Sequence, residues 1–136
     1  MRAPRVLILT HADAGDAVRE AIHDGLDMAG AEAVRIDDLQ ATGAVLATQI
    51  TDAIQGADVV VADVTQESPN LFYELGYAHA LRKPTVLLLD TENARDLPSN
   101  LAGYQMVFYD RGDPGSLSKR IYRHVRSQTE RIKTAF

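Results

Sequence analysis

Between Ala57 and Pro84 the chain reads ADVVVADVTQESPNLFYELGYAHALRKP, and this stretch constrains the fold more than any other. Val59, Val60, Val61 and Ala62 form an unbroken apolar run, rich in β-branched residues and bounded by Asp58 and Asp63. A half-exposed strand alternates apolar with polar residues, whereas a run apolar throughout suits a parallel strand covered on both faces. Ser68-Pro69 then supplies a helix start, with Ser68 as the cap and Pro69 at the first helical position, where its missing N–H costs little. Apolar residues continue through Leu71, Phe72, Leu75, Ala78, Ala80 and Leu81. Lys83-Pro84 closes the helix, because the residue before a proline is driven out of the α region.

The same alternation recurs along the chain. Val6 to Leu9 is a second compact apolar run and reads as a central strand. After the loop Thr10 to Gly15, Val18, Ile22, Leu26 and Ala29 share one face of an amphipathic helix that Gly30 ends. Ala33 to Ile36 is a weak strand. Leu46, Ile50, Ile54 and Ala57 define the next helix, with Gly56 as its stop. Beyond the opening stretch, Thr85 to Leu89 and Met106 to Tyr109 are strands, separated by a polar loop from Thr91 to Gly103. Gly112-Asp113-Pro114-Gly115 reads as a turn, with Ser116 capping a last helix that uses Leu117, Ile121, Val125, Gln128 and Ile132.

Strands alternating with helices imply βαβ units, right-handed crossovers and a parallel sheet. Five of them predict an α/β fold: a flavodoxin-like, doubly wound, five-stranded parallel sheet in the order 2-1-3-4-5. Such sheets bind ligands at the carboxyl ends of their strands, where the order switches between strands one and three. Two segments meet there, Thr10 to Gly15 and Asp63 to Glu74. With 136 residues and no linker or repeat, residues 1–136 read as one domain.

Composition narrows the function classes. A formal net charge of −5 argues against general nucleic-acid binding. The absence of cysteine excludes disulfides, thiolate metal sites and a cysteine nucleophile. The apolar run near the N-terminus is too short for a signal-peptide core or a membrane span, so the expectation is a cytoplasmic protein without a membrane partner. His11, His23, His79 and His124 show no metal-ligand spacing, and no metal or cofactor is expected. The loop after strand one carries a single glycine, so both a dinucleotide-binding fingerprint and a P-loop are missing.

Glu74 is the candidate catalytic residue. A carboxylate beside the switch point is suited to meet the positive charge that develops at an anomeric carbon when an N-glycosidic bond breaks. A surface glutamate on a helix is the plainer alternative. Ser68 and Asn70, at the helix start, are candidates for holding a phosphate or a sugar hydroxyl, and capping explains Ser68 equally. Asp63 either orients a ligand hydroxyl or satisfies backbone amides of its own turn. Thr10, His11 and Asp13 complete the substrate-binding candidates, Asp13 doubling as a possible cap for the first helix. Tyr73 and Tyr77 flank Glu74 and suit base stacking or packing alike. The basic residues of the last helix, Lys119, Arg120, Arg123, Arg126, Arg131 and Lys133, could attract an anionic partner, but a solvated face is the plainer reading.

The run Asp58 to Thr65, followed by Ser68-Pro69-Asn70-Leu71-Phe72-Tyr73-Glu74-Leu75-Gly76-Tyr77-Ala78-His79-Ala80-Leu81 and Lys83-Pro84, resembles the nucleoside 2-deoxyribosyltransferase-like superfamily. That group includes the 2'-deoxynucleoside 5'-phosphate N-hydrolases and, more distantly, TIR-type NAD hydrolases. The resemblance implies a flavodoxin-like fold and a glycosyl-transfer site. It places Glu74 at the family's catalytic glutamate and Ser68 at a phosphate-contacting position. It also implies a nucleoside, nucleotide or NAD ligand and a homo-oligomer. Two places depart from the pattern: the loop after strand one has no arginine, and the hydrolases' acid falls near Ile50, with Asp52 two positions along, about 200° around a helix. The readings are therefore N-glycosidic cleavage or transfer, or a non-catalytic nucleotide-binding or sensing module of the kind linked to bacterial defence. A phosphoacceptor receiver using Asp63 shares the sheet order, but it requires an acidic pair after strand one and a lysine after strand five. The chain has His11-Ala12 and Asp110-Arg111 there.

Overall fold

A computed structural model describes residues 2–10, 14–36, 43–66, 68–93 and 104–134. The elements run β1 (Arg5–Leu9), α1 (Asp16–Met28), β2 (Glu32–Arg35), α2 (Gly43–Gly56), β3 (Val59–Asp63), α3 (Pro69–Ala80), β4 (Thr85–Asp90), a short 3-10 turn (Thr91–Asn93), β5 (Gln105–Tyr109) and α4 (Pro114–Thr134). The strands form one five-stranded sheet in the order β2-β1-β3-β4-β5, and every pairing is parallel. The expected flavodoxin-like order is the observed one.

The apolar runs of β1, β3 and β4 became strands buried on both faces, because odd and even residues feed two different cores, whereas β5 at the sheet edge leaves Phe108 exposed. Val6, Ile8, Val59, Val61, Val86, Leu88, Val107 and Tyr109 face α1 and α4. Leu7, Leu9, Val60, Ala62, Leu87 and Leu89 face α2 and α3. Helix α1 lies so close to α4 that a Cβ on Gly25 would sit 2.7 Å from the Ser118 carbonyl oxygen. The Ser118 hydroxyl donates to the Ala21 carbonyl at 2.9 Å across the same seam.

The helix ends follow local chemistry. Gly30, at φ 68°, closes α1, with its N–H donating to Asp27 O and the Ala31 N–H to Leu26 O. These are the paired bonds of a Schellman end, which needs a left-handed residue in that place. Helix α3 ends the same way, with Arg82 N–H donating to His79 O and Lys83 N–H to Ala78 O. The last helix starts three residues earlier than the sequence suggests. It begins at Pro114, and Asp113 accepts the Ser116 N–H at 3.3 Å. Asp-Pro repeats here the logic of Ser68-Pro69, a capping side chain followed by proline at the first helical position, so Ser116 lies inside the helix instead of capping it. No helix among the described residues is long and apolar enough to cross a membrane.

Candidate functional site

The register of β1 on β3 pairs Leu9 with Ala62, so Thr10 and Asp63 leave the sheet side by side at its carboxyl edge. Thr10 is half-buried and Asp63 is buried. His11 and Asp13 lie outside the described residues. From Asp63 the chain passes Thr65 and enters α3 at Ser68, whose hydroxyl accepts the Leu71 N–H at 3.3 Å. The cap expected from the sequence is therefore made. Asn70 is exposed on the first turn.

Helix α3 lies against the sheet through Leu71, Leu75 and Ala78. Glu74 follows Leu71 by three residues and precedes Ala78 by four, which sets it at the border of the buried stripe. It is accordingly half-buried. Burial pushes its carboxyl pKa above the ordinary value of 4.5. Glu74 lies in the second turn, where the favourable field of the helix N-terminus has faded, so desolvation sets the direction. No hydrogen bond or ion pair to Glu74 is found among the described residues. Of its two aromatic neighbours, Tyr77 accepts a hydrogen bond from Gln55 Nε2 at 2.7 Å and is thereby tied to α2. Tyr73 is 74% exposed and available to a ligand.

Asp63 behaves differently. Its Oδ1 accepts both the Thr65 N–H at 3.0 Å and the Thr65 hydroxyl at 2.6 Å. Its Oδ2 accepts the Tyr109 hydroxyl at 2.6 Å. Of the two roles open to Asp63 in the sequence, this geometry is that of satisfying its own turn. The candidates also divide over the sheet: Asp63 follows Val59 and Val61 onto the α1/α4 face, while Glu74 belongs to a helix on the other. Asp63 stands on the crest formed by the strand ends, and α3 follows from it in the chain.

Three residues of that crest escaped the sequence reading. Asp90, the last residue of β4, has a side chain that is 0% exposed. Its Oδ1 accepts the Glu92 N–H at 3.1 Å, and its own N–H donates to the Thr65 hydroxyl oxygen at 2.9 Å. Arg111 pairs with Asp90 at 3.2 Å and donates from Nη2 to the Ala14 carbonyl, also at 3.2 Å. Tyr109 holds Asp63, and burial together with the nearby Asp63 carboxylate drives the phenol pKa well above its usual value. A buried carboxylate is tolerated only when paired and hydrogen-bonded, and this network meets that condition. The signal that marks it in the sequence is an aspartate closing each of two apolar strands, Asp63 and Asp90.

A cleft of about 320 Å³ opens further along the crest, between β5 and the start of α4. Thr91, Tyr109, Asp113, Ser116 and Arg120 line it. It lies at the sheet edge, away from the β1/β3 switch point. Among the described residues no cluster of three or more His, Cys, Asp or Glu is arranged to hold a metal ion.

No protein-family model matches the chain. A 5-hydroxymethyl-dUMP N-hydrolase of Rattus norvegicus is 37% identical over 75 residues, which cover 51% of this chain and 46% of that protein. The aligned part is thus less than half of the relative's own length. Among solved structures, a CMP N-glycosidase of Clostridium botulinum superimposes with a TM-score of 0.61 at 20% identity, covering 88% of this chain and 96% of that one. A flavodoxin-like domain from Synechococcus sp. superimposes with a TM-score of 0.54 at 18% identity, covering 90% and 99%. At these identities the structural likeness establishes the flavodoxin-like fold.

Proposed function

We propose that the protein acts on the N-glycosidic bond of a nucleotide, with Glu74 as the carboxylate that meets the sugar. The observation that carries this reading is Glu74 itself, half-buried in the second turn of the helix that follows β3 and without a protein partner among the described residues. The similarity to a 5-hydroxymethyl-dUMP N-hydrolase supports the same class of reaction and favours a nucleoside 5'-monophosphate over NAD or a free nucleoside. It also supports a place in the nucleoside 2-deoxyribosyltransferase-like superfamily.

The chemistry follows from the environment. Loss of the base leaves an oxocarbenium-like sugar, and its positive charge is best stabilised by an anion held where water is partly excluded. A desolvated carboxylate attracts that charge more strongly than a hydrated one, because the effective dielectric is lower. Glu74 then serves either as nucleophile, forming a glycosyl ester that water or a second base cleaves, or as electrostatic partner to direct attack. Ser68 and the first-turn N–H groups of α3 provide a place for the 5'-phosphate, Thr10, His11, Asp13 and Asn70 remain candidates for the sugar and base, and Tyr73 offers a stacking face. Asp63 contributes by holding the β3–α3 turn.

A second reading is a nucleotide-binding module without turnover. It is favoured by Ile50, which packs against the α2/α3 core where an acid would otherwise protonate or assist the leaving group. The two are separated by incubating the purified protein with deoxynucleoside and ribonucleoside monophosphates, free nucleosides and NAD, and measuring released base by chromatography. Release from a monophosphate is expected. Saturable nucleotide binding with no base released from any of them would establish the binding module instead.

A further inference from the structure

The residue before α1, Gly15, sits at φ 89° and ψ 151°, and among the described residues no side chain accepts a first-turn N–H. The body of α1 is fixed against α4 at Gly25 and through the Ser118–Ala21 bond, and Val18 in its first turn is buried in the same core. The residue just before the helix, Ala14, is reached in addition by Arg111, from the opposite edge of the sheet. Its Nε faces the Asp90 carboxylate and its Nη2 donates to the carbonyl of Ala14, a residue only 4% exposed. One guanidinium thus ties the end of β4, the end of β5 and the entry to α1 into one unit. The network continues through Thr65 to Asp63, the residue beside Thr10 at the switch point.

We propose that Arg111 is a positioning residue that sets where α1 enters the candidate site, so that nucleotide affinity depends on a side chain that does not touch the nucleotide. The affinity clause rests on the function proposed above, while the structural clause stands without it. The reason for arginine is geometric. A guanidinium presents several N–H donors in a rigid plane and can aim two of them at two different acceptors, whereas an ammonium is a point charge on a flexible stem. Lysine at this position would keep the pairing with Asp90 and lose the directed bond to Ala14.

Hydrogen–deuterium exchange on the full chain, with and without substitution, tests this directly. The first α1 amide with an intrahelical partner is that of Arg19, which donates to Gly15 O. In Arg111→Met, exchange over residues 19–22 is expected to rise at least tenfold, with β2 and α2 unchanged. Arg111→Lys should show most of that local rise. The pair Arg111→Met/Asp90→Asn removes both charges, which takes away the cost of leaving the Asp90 charge without Arg111, and the local rise should persist. With a cleaved monophosphate as substrate, KM should increase about tenfold and kcat stay within twofold. Unchanged exchange at residues 19–22 in the double variant, or an equal rise throughout the protein, would overturn the proposal. The exchange readout needs no turnover, so it decides the positioning role even where base release fails to appear.

Discussion

Replacing Tyr109 by phenylalanine removes one oxygen atom and isolates one interaction. The Tyr109 hydroxyl lies 2.6 Å from Asp63 Oδ2, and the two residues are 3% and 4% exposed. Phenylalanine fills the same ring volume, so no cavity term arises. The loss is that of a short hydrogen bond to a buried carboxylate, about 1.5–3 kcal/mol. With an unfolding entropy of about 2.1 cal/mol/K per residue over 136 residues, the slope is about 0.3 kcal/mol/K and the expected fall in Tm is about 5–10 °C. Calorimetry gives the Tm, and urea unfolding gives the free energy provided the slope with denaturant is unchanged. A loss below about 0.5 kcal/mol would refute the reasoning, because it would mean that water or another donor reaches Asp63 freely.

Three further outcomes follow from single contacts. Gly25→Ala adds a Cβ 2.7 Å from the Ser118 carbonyl oxygen and 2.9 Å from Ile121 Cβ; overpacking outweighs the gain in helix propensity, and urea unfolding should show a net loss of about 1–2 kcal/mol. Ser68→Ala removes the acceptor for the Leu71 N–H and should cost about 1 kcal/mol in the same measurement, whereas an unchanged midpoint would show the cap to be irrelevant. For Glu74→Gln the sign depends on pH. Burial raises the Glu74 pKa, so the folded state holds that proton more tightly than the unfolded chain does. The resulting penalty is complete above the folded pKa and absent below the ordinary value of 4.5. The variant should therefore melt above the wild type at pH 7–8, with the advantage vanishing as the pH falls below 4.5, and a lower melting temperature at neutral pH would contradict the burial argument.

The sheet was legible because its signal is local. Four consecutive apolar residues from Val59 to Ala62 fit few environments other than a strand covered twice, and Ser68-Pro69 and Gly30 mark helix ends through backbone chemistry that neighbours do not override. The start of α4 was misread because Asp113-Pro114-Gly115 satisfies turn chemistry and helix-start chemistry equally well; burial of Leu117 and Ile121 against α1 decides it. At the site, the place of Glu74 followed from the topology, since α3 must rise from the carboxyl end of β3. The network of Asp90, Tyr109 and Arg111 was not legible, because its bonds span up to 97 positions in the chain and depend on strand register. Tyr109 was correctly placed in a strand, yet nothing in its neighbours says that its hydroxyl meets Asp63. Such partners are set by the sheet, after local structure has formed.

The central claim is that the Glu74 carboxylate meets a sugar losing its base. Base release and nucleotide binding should be measured together on the wild type and on Glu74→Gln, using a nucleoside monophosphate that the wild type cleaves. Removing a charge aimed at the transition state costs about 100-fold or more in kcat. The expected result is that loss, with the dissociation constant within about threefold of the wild type. Release by Glu74→Gln at the wild-type rate would contradict the account.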